Sequence, residues 1–289
     1  MRYLIEHTTR LSFPTPVREH QCELRLAPRE SEHLRVAECH IEVSPEAPLR
    51  EHDDYLGNRV HRLSLVAPHE FLAATLRAEV ETRLANPFDY APLSPRAEAD
   101  WMARRLREEP PLCDFVLHRS AAVPELASLA GELAPPCFDP ARTLLDNVQE
   151  AMRWVAEGFA YESGASEVHS PLASFFARRA GVCQDFAHLL VALVRSWGFA
   201  ARYVAGYLDP GALAEPPASQ ATHAWAEVLI PGAGWRGFDA TSALVANDSF
   251  IPVAVGRDSR DAAPIRGTFK GDDGGAPPRV ELSVRRQAQ

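Results

Sequence analysis

The chain is almost without lysine: among its 30 basic residues only Lys270 is one, and the rest are arginine. Acidic residues outnumber the basic ones and leave a net charge of −9. That balance argues against a nucleic-acid partner, because affinity for phosphate backbones comes from clustered cations. Cysteine is scarce as well. Cys22, Cys39, Cys113, Cys137 and Cys183 are odd in number and scattered, with no C-x-x-C pair. Neither a disulfide framework nor a cysteine-rich zinc site is expected from that pattern. Long apolar runs are missing too, and no stretch reaches the roughly 18 residues that would span a bilayer. The opening residues 1–10 carry a charge at the second position and lack the apolar core of a secretion signal. Together these absences set the expectation of a cytoplasmic protein that contacts neither membrane nor nucleic acid.

What is present is ordinary for a folded domain: 46% hydrophobic and 24% charged residues. At 289 residues the chain can bury a sizeable core in two modest domains. Residues 1–86 carry strand periodicity. Tyr3, Ile5, His7 and Thr9 alternate with other residues, as do Leu24 and Leu26, Leu34 and Val36, and Ile41 and Val43. Gly57-Asn58 marks a hairpin turn, and residues 72–84 give a further strand. Short strands at near-regular spacing predict a sandwich-like β domain. Residues 87–97, rich in proline, read as a linker, and 98–289 as a second domain with helical patterns at 101–109, 124–133, 143–159 and 171–179.

The most informative stretch is 181–208. Phe186, Leu189, Leu190, Leu193, Val194 and Trp197 fall on one helical face, with Gly198 as terminator and a strand from Phe199 to Leu208 after it. Three residues before Phe186 stands Cys183, on the same face in the first turn. A thiol at that place feels the positive end of the helix dipole, which favours a thiolate. The first-turn N–H groups lack partners within the helix and suit an oxyanion.

A base for that thiol comes from the segment 221–230, which reads as a strand carrying His223, Trp225 and Glu227 on one face and Ala224, Ala226, Val228 and Ile230 on the other. After Pro-Gly-Ala-Gly the chain returns through 235–241. For His223 and Asp239 to share a face, paired residue numbers must sum to an even value. The register that pairs Trp225 with Asp239 sets His223 diagonally across from the carboxylate, within side-chain reach.

Three further residues flank this constellation as candidate supports of the site: Asp185, Trp225 and Tyr207. Asp185 suits equally a helix-dipole partner and a group lying behind the catalytic pair. Trp225 beside the base can wall the site, although a large strand aromatic is usually core. Tyr203 and Tyr207 alternate on the strand after the helix, where core packing is the commoner fate. His188 lies off the face of Cys183 and reads as structural. A metal set of Cys183, His188, His223 and Asp239 fits by residue type alone. The loop from Asp209 to Ala221 is a candidate specificity loop, and Gly271–Gly275 reads as a surface turn.

The motifs G-V-C-Q-D-F-A-H (181–188), R-Y-V-A-G-Y-L (202–208), T-H-A-W-A-E-V (222–228) and G-W-R-G-F-D-A-T (234–241) together resemble the bacterial transglutaminase-like family, a branch of the papain-like cysteine enzymes. H-T-T-R-L-S-F-P-T-P-V (7–17) resembles the β domain that precedes the core in this branch, and V-G-R-D-S-R-D-A-A-P-I-R-G (255–267) resembles its C-terminal segment. The resemblance implies an α+β fold: an N-terminal β-sandwich-like domain, then a papain-like transglutaminase core whose nucleophile helix packs on an antiparallel sheet. It implies Cys183 as nucleophile, His223 as base and acid and Asp239 as orienter of the imidazole, with no metal and no cofactor. One departure is visible, since Ala240 stands where the family usually has proline after the aspartate.

The chemistry expected of such a triad is attack of the thiol on an amide of a protein or peptide, through a thioester. Water as acceptor makes a peptidase or amidase, and an amine makes a transglutaminase; hydrolysis is slightly favoured. The alternatives are a non-catalytic peptide-binding module on the same fold, or an accessory subunit working with a peptide-ligase-type partner.

Overall fold

The computed structural model describes residues 1–129, 134–165, 170–212, 222–272, 274 and 276–287. The N-terminal region contains β1 (Arg2–Leu24), β2 (Leu34–Ser44), β3 (Arg50–Asp53), β4 (Arg59–Leu65) and β5 (His69–Thr82). Alternation puts Tyr3, Ile5, His7 and Thr9 on the inner face of β1, all of them buried. The β1 strand is too long to stay in one flat layer. Its register against β5 shifts between Ser12 and Val17, across Pro14 and Pro16, which have no N–H to give a ladder. It pairs with β5 up to that bend and at Val17, and with β4 from His20, so the one strand runs through a single curled antiparallel sheet, where a sandwich-like pair of layers was expected. Between β3 and β4, Asp54 accepts the backbone N–H groups of Leu56 and Asn58, and Gly57 takes a positive φ of 75°, the turn expected there.

The core follows with α1 (Pro95–Glu108), α2 (Asp114–Leu117), α3 (Leu144–Gly158), β6 (Ala160–Tyr161), α4 (Leu172–Arg178), β7 (Ala180–Gly181) and α5 (Cys183–Ser196). Then come β8 (Ala201–Leu208), β9 (His223–Ile230), β10 (Gly234–Asp239), β11 (Leu244–Val245) and β12 (Phe250–Gly256). Thr143 caps α3 by accepting the N–H of Asp146. Of the helix expected from Pro124 to Leu133, the described part forms only a short 3-10 turn at Leu126–Ser128; residues 130–133 lie outside the described residues.

Strands β8 to β12 form a five-stranded antiparallel sheet in the order β11-β10-β9-β8-β12. Helix α5 is buried along nearly all its length and packs on the face of β9 that carries Ala226, Val228 and Ile230. Its Phe186, Leu189, Leu190, Leu193 and Val194 are each at most 1% exposed. Burying side chains of this size stabilises by about 1.5–3 kcal/mol apiece, so the helix start that carries Cys183 is fixed by tertiary packing. Gly198, at φ 83°, ends the helix as expected.

Two last strands depart from the sequence expectation. β13 (Ile265–Lys270) and β14 (Arg279–Arg286) pair with β1, antiparallel, on opposite sides of its bend. Residues 265–286 therefore complete the N-terminal sheet, although their position in the chain suggested the second domain. Strand periodicity shows which face is buried and carries no information on which distant strand is the partner. The two regions are joined by a shared apolar cluster that includes Tyr3, Leu24 and Leu76 from one side and Tyr203, Tyr207 and Ile251 from the other. Asn58 adds a bidentate bond to the backbone of Val255, at 2.8 Å in both directions.

Candidate active site

Helix α5 begins at Cys183, and the turn before it is held by side chains too close to admit bulk. Asp185 accepts the backbone N–H of Val182 at 2.9 Å, the return half of a capping box. A Cβ on Gly181 would stand 2.5 Å from the Asp185 carboxylate and 2.5 Å from the Phe175 ring. Glycine at 181 is thus what allows the cap and the Phe175 packing to coexist beside the thiol. Asp185 serves the helix start, one of its two expected roles.

The hairpin of β9 and β10 pairs Phe238 with Ala226, Gly237 with Glu227 and Arg236 with Val228. This is the register anticipated from parity, and it carries His223 and Asp239 to the same side. His223 Nε2 lies 2.9 Å from Asp239 Oδ2, and the imidazole is close enough to the Cys183 side chain to interact with it. With Nε2 engaged by the carboxylate, Nδ1 is the ring nitrogen available to the sulfur. Cys183 is a free thiol, partly exposed.

Asp239 is fully buried and is held by more than the histidine. Its Oδ1 accepts the N–H of Thr241 at 2.9 Å, and Oδ2 accepts the hydroxyl of Ser242 at 2.5 Å. The first of these is an Asx turn, which shapes the chain after the aspartate without the proline usual there. Burial opposes charge on both partners, yet their mutual attraction prevails. Asp239 is held below the ordinary aspartate value by His223, Ser242 and Thr241. Burial alone would lower His223, but the Asp239 carboxylate and the Cys183 thiol push it up to about 10. The imidazole is therefore a cation at neutral pH in this arrangement.

Trp225 is buried against the site and shapes it from behind. Its ring lies near-parallel to that of His223 at 6.2 Å between centroids and meets Phe250 edge-on at 5.3 Å. Room for the indole comes from Gly206, where a Cβ would sit 2.4 Å from the Trp225 ring and 2.4 Å from the Ile251 carbonyl. Tyr207, by contrast, is not at the site. Its hydroxyl donates to the Leu26 carbonyl at 2.8 Å and meets His7 Nδ1 at 2.9 Å, which ties the core sheet to the β domain. Its place toward the end of β8 sets it at the inter-domain seam.

His188 is buried, and its Nε2 accepts the N–H of Ser259 at 3.1 Å, a structural role that anchors the loop after β12. Among the described residues no group of three His, Cys, Asp or Glu side chains is disposed to hold a metal ion. The loop from Asp209 to Ala221 lies outside the described residues from 213 onward, as do positions 273 and 275 of the Gly271–Gly275 turn.

Two contributors escaped the sequence reading. Ser242 has a local signal, a hydroxyl three residues past a buried aspartate. Tyr161 has none: it sits on a two-residue strand paired in parallel with Gly181, 53% exposed, its ring 6.5 Å from that of Phe186. Burial, and then the charges of Cys183 and Asp239, raise its hydroxyl above the ordinary tyrosine value, which places it within their field.

Comparison with known proteins bears on the family and the fold. Residues 3–81 match the bacterial transglutaminase-like N-terminal region, and residues 131–240 match the core of the transglutaminase-like superfamily. An uncharacterized protein of Mycobacterium leprae is 30% identical over 274 residues, covering 93% of this chain and 94% of that one. Another, from Mycobacterium tuberculosis strain H37Rv, is 30% identical over 279 residues, covering 92% and 87%. A crystal structure from Cytophaga hutchinsonii, whose own assignment as a cysteine protease is provisional, superposes with a TM-score of 0.73 at 22% identity, covering 100% of this chain and 92% of that one. At that identity the likeness bears on fold alone. The chain belongs to the transglutaminase-like superfamily, in the bacterial branch that carries its own N-terminal β region.

Proposed function

We propose that the protein is a cysteine-dependent enzyme that cleaves or transfers amide bonds of protein or peptide substrates through a thioester. The observation that carries this reading is the position of His223, bonded to a buried carboxylate and within the electrostatic reach of a partly exposed thiol. Cys183 acts as nucleophile: its sulfur bonds to the amide carbon, and the C–N bond breaks as the proton held by His223 passes to the departing amine. Water or an amine then gives a proton to the same imidazole and attacks the thioester, which frees the thiolate. Asp239 keeps the ring oriented and its cationic form stabilised. The N–H of Cys183, at the first position of α5, has no partner within the helix and supplies one donor to the oxyanion.

Incubation with a library of glutamine- and amine-bearing peptides, read by mass spectrometry, tests the reading and separates its branches. Loss of ammonia with gain of an amine indicates transamidation, a fragment pair indicates proteolysis, and deamidation indicates an amidase. Absence of any product together with absence of Cys183 alkylation by iodoacetamide would sink the enzymatic reading and leave a peptide-binding module.

A further inference from the structure

An open cleft of about 960 Å³ lies beside the triad, between the core sheet and the N-terminal domain, with none of the three triad side chains in its lining. Its lining comes nearest to them through Gln184 and Thr222, the chain neighbours of Cys183 and His223. One wall is formed by Tyr203 and Ala205 of β8, and the floor by His7 and Thr9 of β1. That floor carries no charge at neutral pH. Tyr207 donates its only hydroxyl proton to Leu26, so His7 holds its own proton on Nδ1 and receives that of Thr9 on Nε2. Burial pushes His7 down to about 4.

The far wall contains Ile265, Arg266 and Gly267, three consecutive residues of β13, and Val280 of β14. Successive side chains of a strand point to opposite faces. Here three in a row border the cleft, and Gly267 has no side chain, so part of this wall is the main chain of β13. β13 pairs with β1 and with no other strand among the described residues, so this edge has main-chain donors and acceptors to offer. One end of the same strand is guarded by the Lys270–Glu19 ion pair, and the other, which lines the cleft, begins after Pro264.

We propose that this cleft holds the substrate polypeptide as an extended strand, docked by main-chain hydrogen bonds on the open edge of β13 and delivering its amide to Cys183. The inference rests on the thiol-enzyme reading and gives its substrate class: a flexible or unfolded polypeptide segment with small, uncharged side chains toward Tyr203 and Ala205. Strand addition draws affinity from the backbone, so it tolerates varied sequence.

The test uses reduced, carboxymethylated casein carrying fluorescein, an extended polypeptide, with binding followed by anisotropy on the full chain. Val280 is 37% exposed at the mouth of the cleft, so Val280→Trp fills the groove without entering the core. Wild type and Cys183→Ala are expected to bind alike, and Val280→Trp at least tenfold more weakly, with its melting temperature and its iodoacetamide labelling of Cys183 unchanged. Equal binding by Val280→Trp, or no binding by wild type, overturns the assignment of the cleft. Failure of Cys183 to label, with casein binding intact and sensitive to Val280→Trp, overturns the thiol chemistry and leaves the cleft standing.

Discussion

His223 turns Nε2 to Asp239 at 2.9 Å and so presents its other nitrogen to Cys183. The carboxylate thereby selects both the orientation and the charge state of the ring. Asp239→Asn preserves shape and removes the charge. Loss of the partner in an aspartate-histidine pair costs about 10⁴-fold in turnover in hydrolytic triads, and a drop of that order is expected here. Labelling of Cys183 by iodoacetamide at neutral pH should slow as well, because the ring beside the sulfur loses the carboxylate that orients it. A variant that labels and turns over within tenfold of wild type removes Asp239 from the triad.

The same pair makes stability depend on pH in two directions. His223 is raised, to about 10, so its contribution is complete below the ordinary histidine value near 6.5 and disappears as pH rises to about 10. Asp239 is lowered, so its contribution exists above the ordinary aspartate value and is lost as pH falls through the lowered one. The melting temperature of wild type should therefore fall between pH 7 and pH 10 more steeply than that of His223→Gln. Parallel curves for the two proteins over that window contradict the coupling.

Gly181 ties the helix start to the thiol. Gly181→Ala forces a methyl to 2.5 Å from both Asp185 and Phe175, and overpacking of this kind costs about 1–3 kcal/mol. If the ring gives way, stability falls; if the carboxylate gives way, the Val182 cap is broken and Cys183 shifts. Urea unfolding should show the loss, and Cys183 labelling should slow by more than the small rise in unfolded protein explains. Wild-type stability and labelling together would show that the close approach is easily relieved.

Much of this was legible because the chemistry is local in sequence. Phe186 to Val194 announce the helix whose first turn bears Cys183, and parity along β9 and β10 fixes the face shared by His223 and Asp239. What escaped depends on distant pairing. Ile265 and Arg279 begin strands like any others in pattern, and only the bend of β1 at Pro14 and Pro16 creates the place they fill beside it. Tyr161 lies on a strand too short to have a period. Tyr207 and Tyr203 share one face of β8 by alternation, yet the face is divided between the thiol side and the inter-domain seam. The alternation could not say which end of the strand belongs to which.

Tyr207 accordingly gives a discriminating test. Tyr207→Phe keeps the ring in its buried place and removes only the hydroxyl, leaving the Leu26 carbonyl without its donor and His7 Nδ1 without its acceptor. A buried polar group left unsatisfied costs about 1–3 kcal/mol, and two are created here, within one network. Unfolding in urea should report a loss in that range. Turnover and iodoacetamide labelling of Cys183 should remain within twofold of wild type, because neither bond touches the triad. The opposite pattern, unchanged stability with turnover reduced tenfold, would return Tyr207 to the site, since a residue that only joins two domains has no means of slowing the chemistry while leaving the fold intact.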